Sequence, residues 1–107
     1  MTAPPGGWLP IFSLGEDQLV HILTRHGFDS VEPFAIKFEP DVDIRELVRI
    51  AANVQPVAQE KFFGRFQRVV QGNQNIGTDR RTGQPRSAFT VIHNQFGNVI
   101  TVFPGSP

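Results

Sequence analysis

His21-Ile22-Leu23-Thr24-Arg25-His26-Gly27 gathers two of the chain's three histidines and an arginine into six residues ahead of a glycine. An imidazole titrates near neutrality, so one histidine can accept a proton while a second releases one, and an arginine can hold an anion beside them. Together these groups suit proton transfer at a phosphate. The competing account is structural: a histidine in a last helical turn complements the helix dipole without any catalytic role.

Spacing limits what this segment can do. In a helix, His21 and Arg25 share a face, whereas His26 is turned roughly 140° from His21. One straight helix does not converge the two imidazoles. Gly27 is a natural C′ residue, however, and a helix ending near Arg25 or His26 leaves His26 at a frayed end, able to swing back.

The elements that must position these groups are readable from periodicity and punctuation. Ser13-Leu14-Gly15-Glu16 has capping-box spacing before a helix from about Glu16 to His26, whose apolar side is Leu19, Val20, Ile22 and Leu23. Phe28 to Pro40 is interrupted by Pro33 and Pro40, and Phe34 to Phe38 reads as a short edge strand. Asp43-Ile44-Arg45-Glu46 opens a second helix, running to about Asn53 or Val54, that turns Ile44, Leu47, Val48 and Ile50 or Ala51 inward. Pro56 ends it, and Val57 to Phe63 reads as a short helical turn. From Gly64 the period changes to that of strands: 66–70, 75–80, 87–93 and 98–103, separated by turn-forming residues as in an antiparallel meander. The expected class is α+β, with the N-terminal helices packed on one face of a roughly four-stranded antiparallel sheet. Residues 1–12, rich in proline and glycine, read as a leader ordered only where Trp8 and Leu9 dock, and residues 13–107 as a single domain.

Composition bounds the function. A chain of 107 residues with 39% hydrophobic residues and ten phenylalanines has the makings of one core. Without cysteine there is neither a disulfide nor a thiolate metal site, and no apolar run approaches the roughly 20 residues of a membrane helix. Three histidines without a third ligand at diagnostic spacing make a closed metal site a poor fit, and no phosphate-binding glycine loop is present. No cofactor is expected. Net charge is zero, but residues 1–60 carry nine acids against four bases and residues 61–107 six bases against Asp79 alone, a split from −5 to +5. Such a split suits a basic face for a polyanion, unless the halves interleave in space. Asp79-Arg80-Arg81 with Arg86 across a turn makes a basic loop fit for a nucleic-acid backbone.

Thr101-Val102-Phe103-Pro104 is the second stretch of interest. Thr101 and Phe103 share one face of a strand, and a strand-end threonine facing a cleft can hydrogen-bond a phosphate oxygen, although a β-branched residue also suits any strand. His93 competes with His26 as the second histidine. A five-residue turn, 94–98, pairs His93 with Val99 and places it on Thr101's face, whereas a one-residue slip does not.

His-Ile-Leu at 21–23, the nearby His26, Ile36-Lys37-Phe38, an amphipathic helix and strands ending in Gly97-Asn98-Val99-Ile100-Thr101-Val102-Phe103-Pro104 resemble the bacterial EndoU-type ribonuclease toxins. These are C-terminal domains of contact-dependent-inhibition and related polymorphic toxins, in the barnase, EndoU, colicin and RelE-like group of folds. The resemblance runs in order from about Leu19 to Pro104. It implies metal-independent cleavage of RNA, with tRNA as a candidate substrate, by the RNA's own 2′-hydroxyl, leaving a 2′,3′-cyclic phosphate. It implies His21 and His26 as the catalytic pair with Thr101 as a phosphate contact. Arg25 and Lys37 are candidates to neutralise charge at the phosphorane, with Arg80, Arg81, Arg86 and Phe103 as further substrate contacts. It also implies delivery from the cell surface or by secretion as the end of a larger toxin, action in the target cytoplasm, no membrane insertion by this domain, and a cognate immunity protein. The alternative is a non-catalytic module whose basic strands bind nucleic acid or an acidic protein.

The chain departs from that family in two ways. The family's spacer before its second histidine is usually longer and glycine-rich, and tyrosine often stands where this chain has Phe103. Phe103→Tyr therefore has two opposite expected outcomes. In a site, the new hydroxyl bonds a charged phosphate, worth roughly 1.5 to 3 kcal/mol or about a tenfold to hundredfold gain in cleavage rate. In a core, it lacks a partner and costs about 1 to 3 kcal/mol of stability with no gain. Cleavage rate and thermal midpoint of this one variant separate the two.

Overall fold

The computed structural model describes residues 13–31 and 36–106. The expected leader with Trp8 and Leu9, and the Phe34-Ala35 start of the expected edge strand, lie outside the described residues. In order the elements are α1 (Glu16–His26), β1 (Ile36–Phe38), α2 (Ile44–Ala51), β2 (Val57–Ala58), β3 (Arg65–Gln71), β4 (Gly77–Asp79), β5 (Gln84–Arg86), β6 (Ala88–Asn94) and β7 (Val99–Pro104). The class is α+β. The strands form two antiparallel sheets, one of four strands ordered β2-β3-β6-β7 and one of three ordered β1-β4-β5.

β6 is buried along nearly its whole length and needs full-length partners on both sides. β3 supplies one, in register from Arg65↔Asn94 to Gln71↔Ala88, and β7 the other. β4 is only three residues long and cannot do so. The expected four-strand meander is therefore corrected: the chain leaves the large sheet after Gln71, forms the β4–β5 hairpin against β1, and returns as β6. The two sheets meet where Gly77 lies under Pro104. A Cβ there would sit 2.7 Å from the Lys37 carbonyl oxygen and 2.8 Å from the Pro104 side chain, so only glycine permits the approach.

One side of the large sheet carries Val70, Phe89, Val91 and Val102, which join Ile44, Leu47, Val48 and Ala51 of α2 and Phe38 of β1 in the core. α1 lies along β7, the edge strand. The Gln18 side-chain amide donates to the Ile100 carbonyl near one end and His26 meets Phe103 near the other, while Ile22 between them is fully buried. A helix laid along an edge strand covers backbone groups that would otherwise pair with another chain. α2 thus packs at the sheet's face and α1 along its edge strand, with Ile22 of α1 joining the same core cluster as α2, and the expected packing of both helices on one face is not confirmed.

Three local expectations change for identifiable reasons. Ser13 does not cap α1: its backbone is bridged to the start of β7, with Ser13 N donating to Gly97 O at 2.7 Å, and Gly15 holds the N-cap position. Asp43 does cap α2, its carboxylate accepting from Arg45 N and Glu46 N. Val57 to Phe63 is not helical, because Val57 and Ala58 pair with β3 and the chain reverses through Gly64 at φ 78°, a left-handed conformation suited to glycine.

Arg68 ties these layers together from inside. It is a charged residue on β3 with almost no solvent access, and its Nη1 donates to the carbonyls of Ala52 at 3.1 Å and Val54 at 3.0 Å just past α2. Its Nε donates to His93 Nε2 at 3.1 Å. Truncating it strands two carbonyls and an imidazole nitrogen, each costly when buried. Arg68→Ala should lower the thermal midpoint by roughly 10 °C or more, from a loss of about 3 kcal/mol. Arg49→Ala, which removes an exposed i,i+3 partner of Glu46, should leave the midpoint unmoved. Equal midpoints for the two variants contradict this role of Arg68.

Candidate functional site

His26 closes the last turn of α1 and faces the protein. Its ring lies 5.9 Å from that of Phe103, and Nδ1 is 3.4 Å from the Ile36 carbonyl oxygen. Burial holds its pKa below 6.5; the Ile36 carbonyl opposes that shift, while the charges of Lys37 and Arg25 reinforce it. The result is a half-buried imidazole that favours the neutral form, the state a general base requires.

The turn that carries His26 is pinned at several points. Lys37 is only 3% exposed, and its Nζ donates to Arg25 O at 2.6 Å and Ser30 Oγ at 3.2 Å. The single Ser30 hydroxyl proton is shared between Thr24 O at 2.6 Å and Arg25 O at 3.0 Å. Lys37 is thus a buried cation on the carbonyl end of α1, where a helix presents negative partial charge. It is neither the solvated lysine nor the phosphate ligand that the sequence allowed. Gly27 N donates to Leu23 O at 2.8 Å with φ −67°, and a Cβ on Gly27 would lie 2.4 Å from that oxygen. Glycine is needed here for close approach rather than for a left-handed conformation.

The β4–β5 hairpin docks on the same helix end. The Arg80 guanidinium donates to the Phe28 carbonyl and lies 5.1 Å from the Phe28 ring centroid. Asp79, buried in the turn, accepts from Arg81 N at 3.0 Å and receives Gly83 N at its own carbonyl at 2.7 Å. Its Oδ2 lies 3.7 Å from Arg81 and 3.6 Å from Arg86. One carboxylate faces two guanidiniums, so the hairpin keeps a positive surplus, with Arg81 the more exposed of the two. Ile36 pairs with Asp79, which places the His26 contact one strand away from this cluster. A small concavity of about 230 Å³ adjoins the helix end, bordered by Leu23, Gly27, Phe28 and Glu39.

The other expected residues separate. His21 is exposed on the outward side of α1, five positions from His26 on one continuous helix, so the two imidazoles point to different sides. Arg25 is exposed as well. Thr101 and Phe103 share a face of β7 and are both half-buried, but only Phe103 meets His26.

His93 does pair with Val99, as the five-residue turn requires. A bulge between Ile92 and His93 then sets Thr101 opposite Ile92, on the other face from His93. His93 is 0% exposed, with Nε2 accepting from Arg68, Nδ1 2.8 Å from the Asn94 carbonyl oxygen and its ring stacked on Phe66 at 5.8 Å. Those partners fix the neutral Nδ1–H tautomer. Its burial and its separation from Thr101 correct the expectation of a second histidine at the site.

A cleft of about 500 Å³ lies elsewhere, between α2 and the 71–76 connection, among Asp43, Glu46, Leu47, Val70, Asn75 and Phe89. No sequence signal marked it, because it forms where a loop without periodicity meets a helix. Asp79, the organiser of the arginine hairpin, did carry a signal: an aspartate four residues before Gly83 in a turn. Among the described residues, no group of three or more histidines and carboxylates is placed to hold a metal ion. No family model, curated protein sequence or solved structure matches the chain.

Both His26 and His93 are held below 6.5 in the folded protein, chiefly by burial. The unfolded chain therefore binds more protons than the folded one below about pH 6.5, and stability falls with pH until the folded-state values are reached. The thermal midpoint should drop between about pH 7.5 and 5.5, and His93→Gln should flatten that drop even if it lowers the midpoint at the upper pH. A pH dependence unchanged by both His93→Gln and His26→Gln contradicts this assignment.

Proposed function

We propose that the domain is a metal-independent endoribonuclease toxin of EndoU-like type, centred on His26 and the arginine hairpin. The observation that carries this reading is the docking of Arg80 on the Phe28 carbonyl, which brings a positively charged hairpin against the helix end that holds a neutral-leaning imidazole. The likeness of 21–26 and 97–104 to that toxin family supplies the reaction.

In that reaction the RNA 2′-hydroxyl gives its proton to a base as its oxygen bonds to phosphorus. The P–O5′ bond breaks and the 5′-oxygen takes a proton, leaving a 2′,3′-cyclic phosphate and a 5′-hydroxyl. His26 is the base in this proposal, and the hairpin arginines offset the charge gathering on the phosphorane. His21 is the second proton carrier, which requires the RNA to reach around α1 from one imidazole to the other. Phe103 packs beside His26 and offers a flat surface rather than a hydrogen bond. As a toxin, the domain would be delivered by a larger protein, cleave an RNA such as tRNA in the target cytoplasm, and meet an immunity protein whose acidic surface covers Arg80, Arg81 and Arg86.

A second reading is favoured by one observation, the divergence of His21 and His26 on a single helix. On that reading the same basic surface binds RNA or an acidic protein without cutting it. Incubation of purified protein with total RNA in chelator distinguishes the two. The ribonuclease reading expects fragments ending in cyclic phosphate, and a loss on the order of 10² to 10⁴ in rate for His26→Ala with the fold intact. Intact RNA, or full activity in His26→Ala, leaves the binding reading.

A further inference from the structure

We propose that the end of the large sheet remote from His26 is a base-stacking platform for single-stranded RNA, formed by Phe62, Phe63 and Phe96; this rests on the reading of RNA as the substrate. The β2–β3 turn carries Lys61-Phe62-Phe63-Gly64, and Arg65 opens β3. Arg65 pairs with Asn94, the last residue of β6, and Phe96 sits in the turn that follows. The two turns therefore leave the sheet from neighbouring strands at the same end, about 5 Å apart at their roots. All three phenylalanine side chains are exposed, and Phe63 is fully so.

Three exposed phenylalanines in two adjacent turns form a concentration of apolar surface that solvent does not favour. Their surroundings select the partner. Lys61 and Arg65 flank the rings, and the Arg65 guanidinium lies 5.0 Å from the Phe62 ring centroid. A cation held at a ring's face keeps that ring in place and sets positive charge beside it, where the phosphate of a stacked nucleotide would fall. Aromatic faces interleaved with basic side chains are the chemistry of sequence-tolerant single-strand binding.

The platform is also anchored. Asn94 Oδ1 accepts from Phe96 N at 2.9 Å and Asn98 N at 3.0 Å, which fixes the turn under Phe96. Below it, Phe66 stacks on the buried His93. β7 runs from this end to Phe103 beside His26, a span of roughly 13 Å. A strand held at the platform would thus be led along β7 and α1 toward the histidine.

The test measures binding of an uncleavable 2′-O-methyl oligouridine, about ten nucleotides long, by fluorescence anisotropy. The proteins are the wild type, the triple variant Phe62→Leu/Phe63→Leu/Phe96→Leu, Phe63→Trp, and Arg80→Ala/Arg81→Ala. Leucine keeps the apolar area but removes the flat face, so the triple variant should lose roughly tenfold or more in affinity for each base stack lost, at an unchanged thermal midpoint. Phe63→Trp should bind at least as tightly as wild type. Wild-type affinity in the leucine variant, alongside lost affinity in the arginine variant, overturns the platform while leaving RNA binding at the hairpin. Absence of oligonucleotide binding by the wild type overturns both. Binding of wild type and leucine variant alike to anionic phospholipid vesicles, with none to RNA, reassigns the patch to a membrane surface.

Discussion

Two buried cations supplied by strands meet backbone carbonyls where the helices stop, one in the last turn of α1 and the other just past α2. α1 ends on Lys37 of β1, which donates to the Arg25 carbonyl, and α2 leads into carbonyls held by Arg68 of β3. The last carbonyls of a helix have no intrahelical donor and carry the negative end of its dipole, so an ammonium or guanidinium beneath them satisfies hydrogen bonds and charge together. The constraint runs both ways. A cation can be kept from water only where several acceptors converge, and here the helix ends supply them. Each strand is thereby tied to the end of its helix.

This arrangement changes what the charge distribution means. Lys37 and Arg68 contribute to the formal count but present little to a ligand, since both are almost wholly buried. The basic character of the second half of the chain is thus expressed by Lys61 and Arg65 at one end of the large sheet and by Arg80, Arg81 and Arg86 on the small sheet. The hairpin arginines are organised around Asp79, whose single carboxylate fixes the turn without neutralising it. His26 lies one strand away from them because the Lys37 attachment holds the end of α1 against β1, and β1 pairs with β4.

The parts of this architecture that were legible in sequence are those governed by local rules. The apolar stripe and the end of α1 followed from periodicity and Gly27, the start of α2 from the Asp43 cap, and β6 and β7 from β-branched runs separated by a glycine turn. The parts that were not legible depend on competition between distant segments. Ser13 has the type and spacing of a cap, but the edge of β7 took its backbone. Val57 could have continued a helical turn, but β3 offered a partner. His93 turned on register, and the deciding feature was a bulge that no residue type announces. Lys37 was read by its charge alone, because nothing in the sequence says that a helix will end above it.

The central proposal is that His26, biased by burial toward the neutral form and one strand away from an arginine hairpin, would be where this protein meets a phosphodiester. NMR titration with a nucleoside 2′,3′-cyclic monophosphate, following imidazole and backbone resonances, addresses that claim without depending on turnover. The account predicts saturable shifts at the His26 ring and at the amides of Phe28, Arg80 and Arg81, with the buried His93 ring unmoved. Shifts confined to the cleft around Glu46, Asn75 and Phe89, or none at His26, would contradict it.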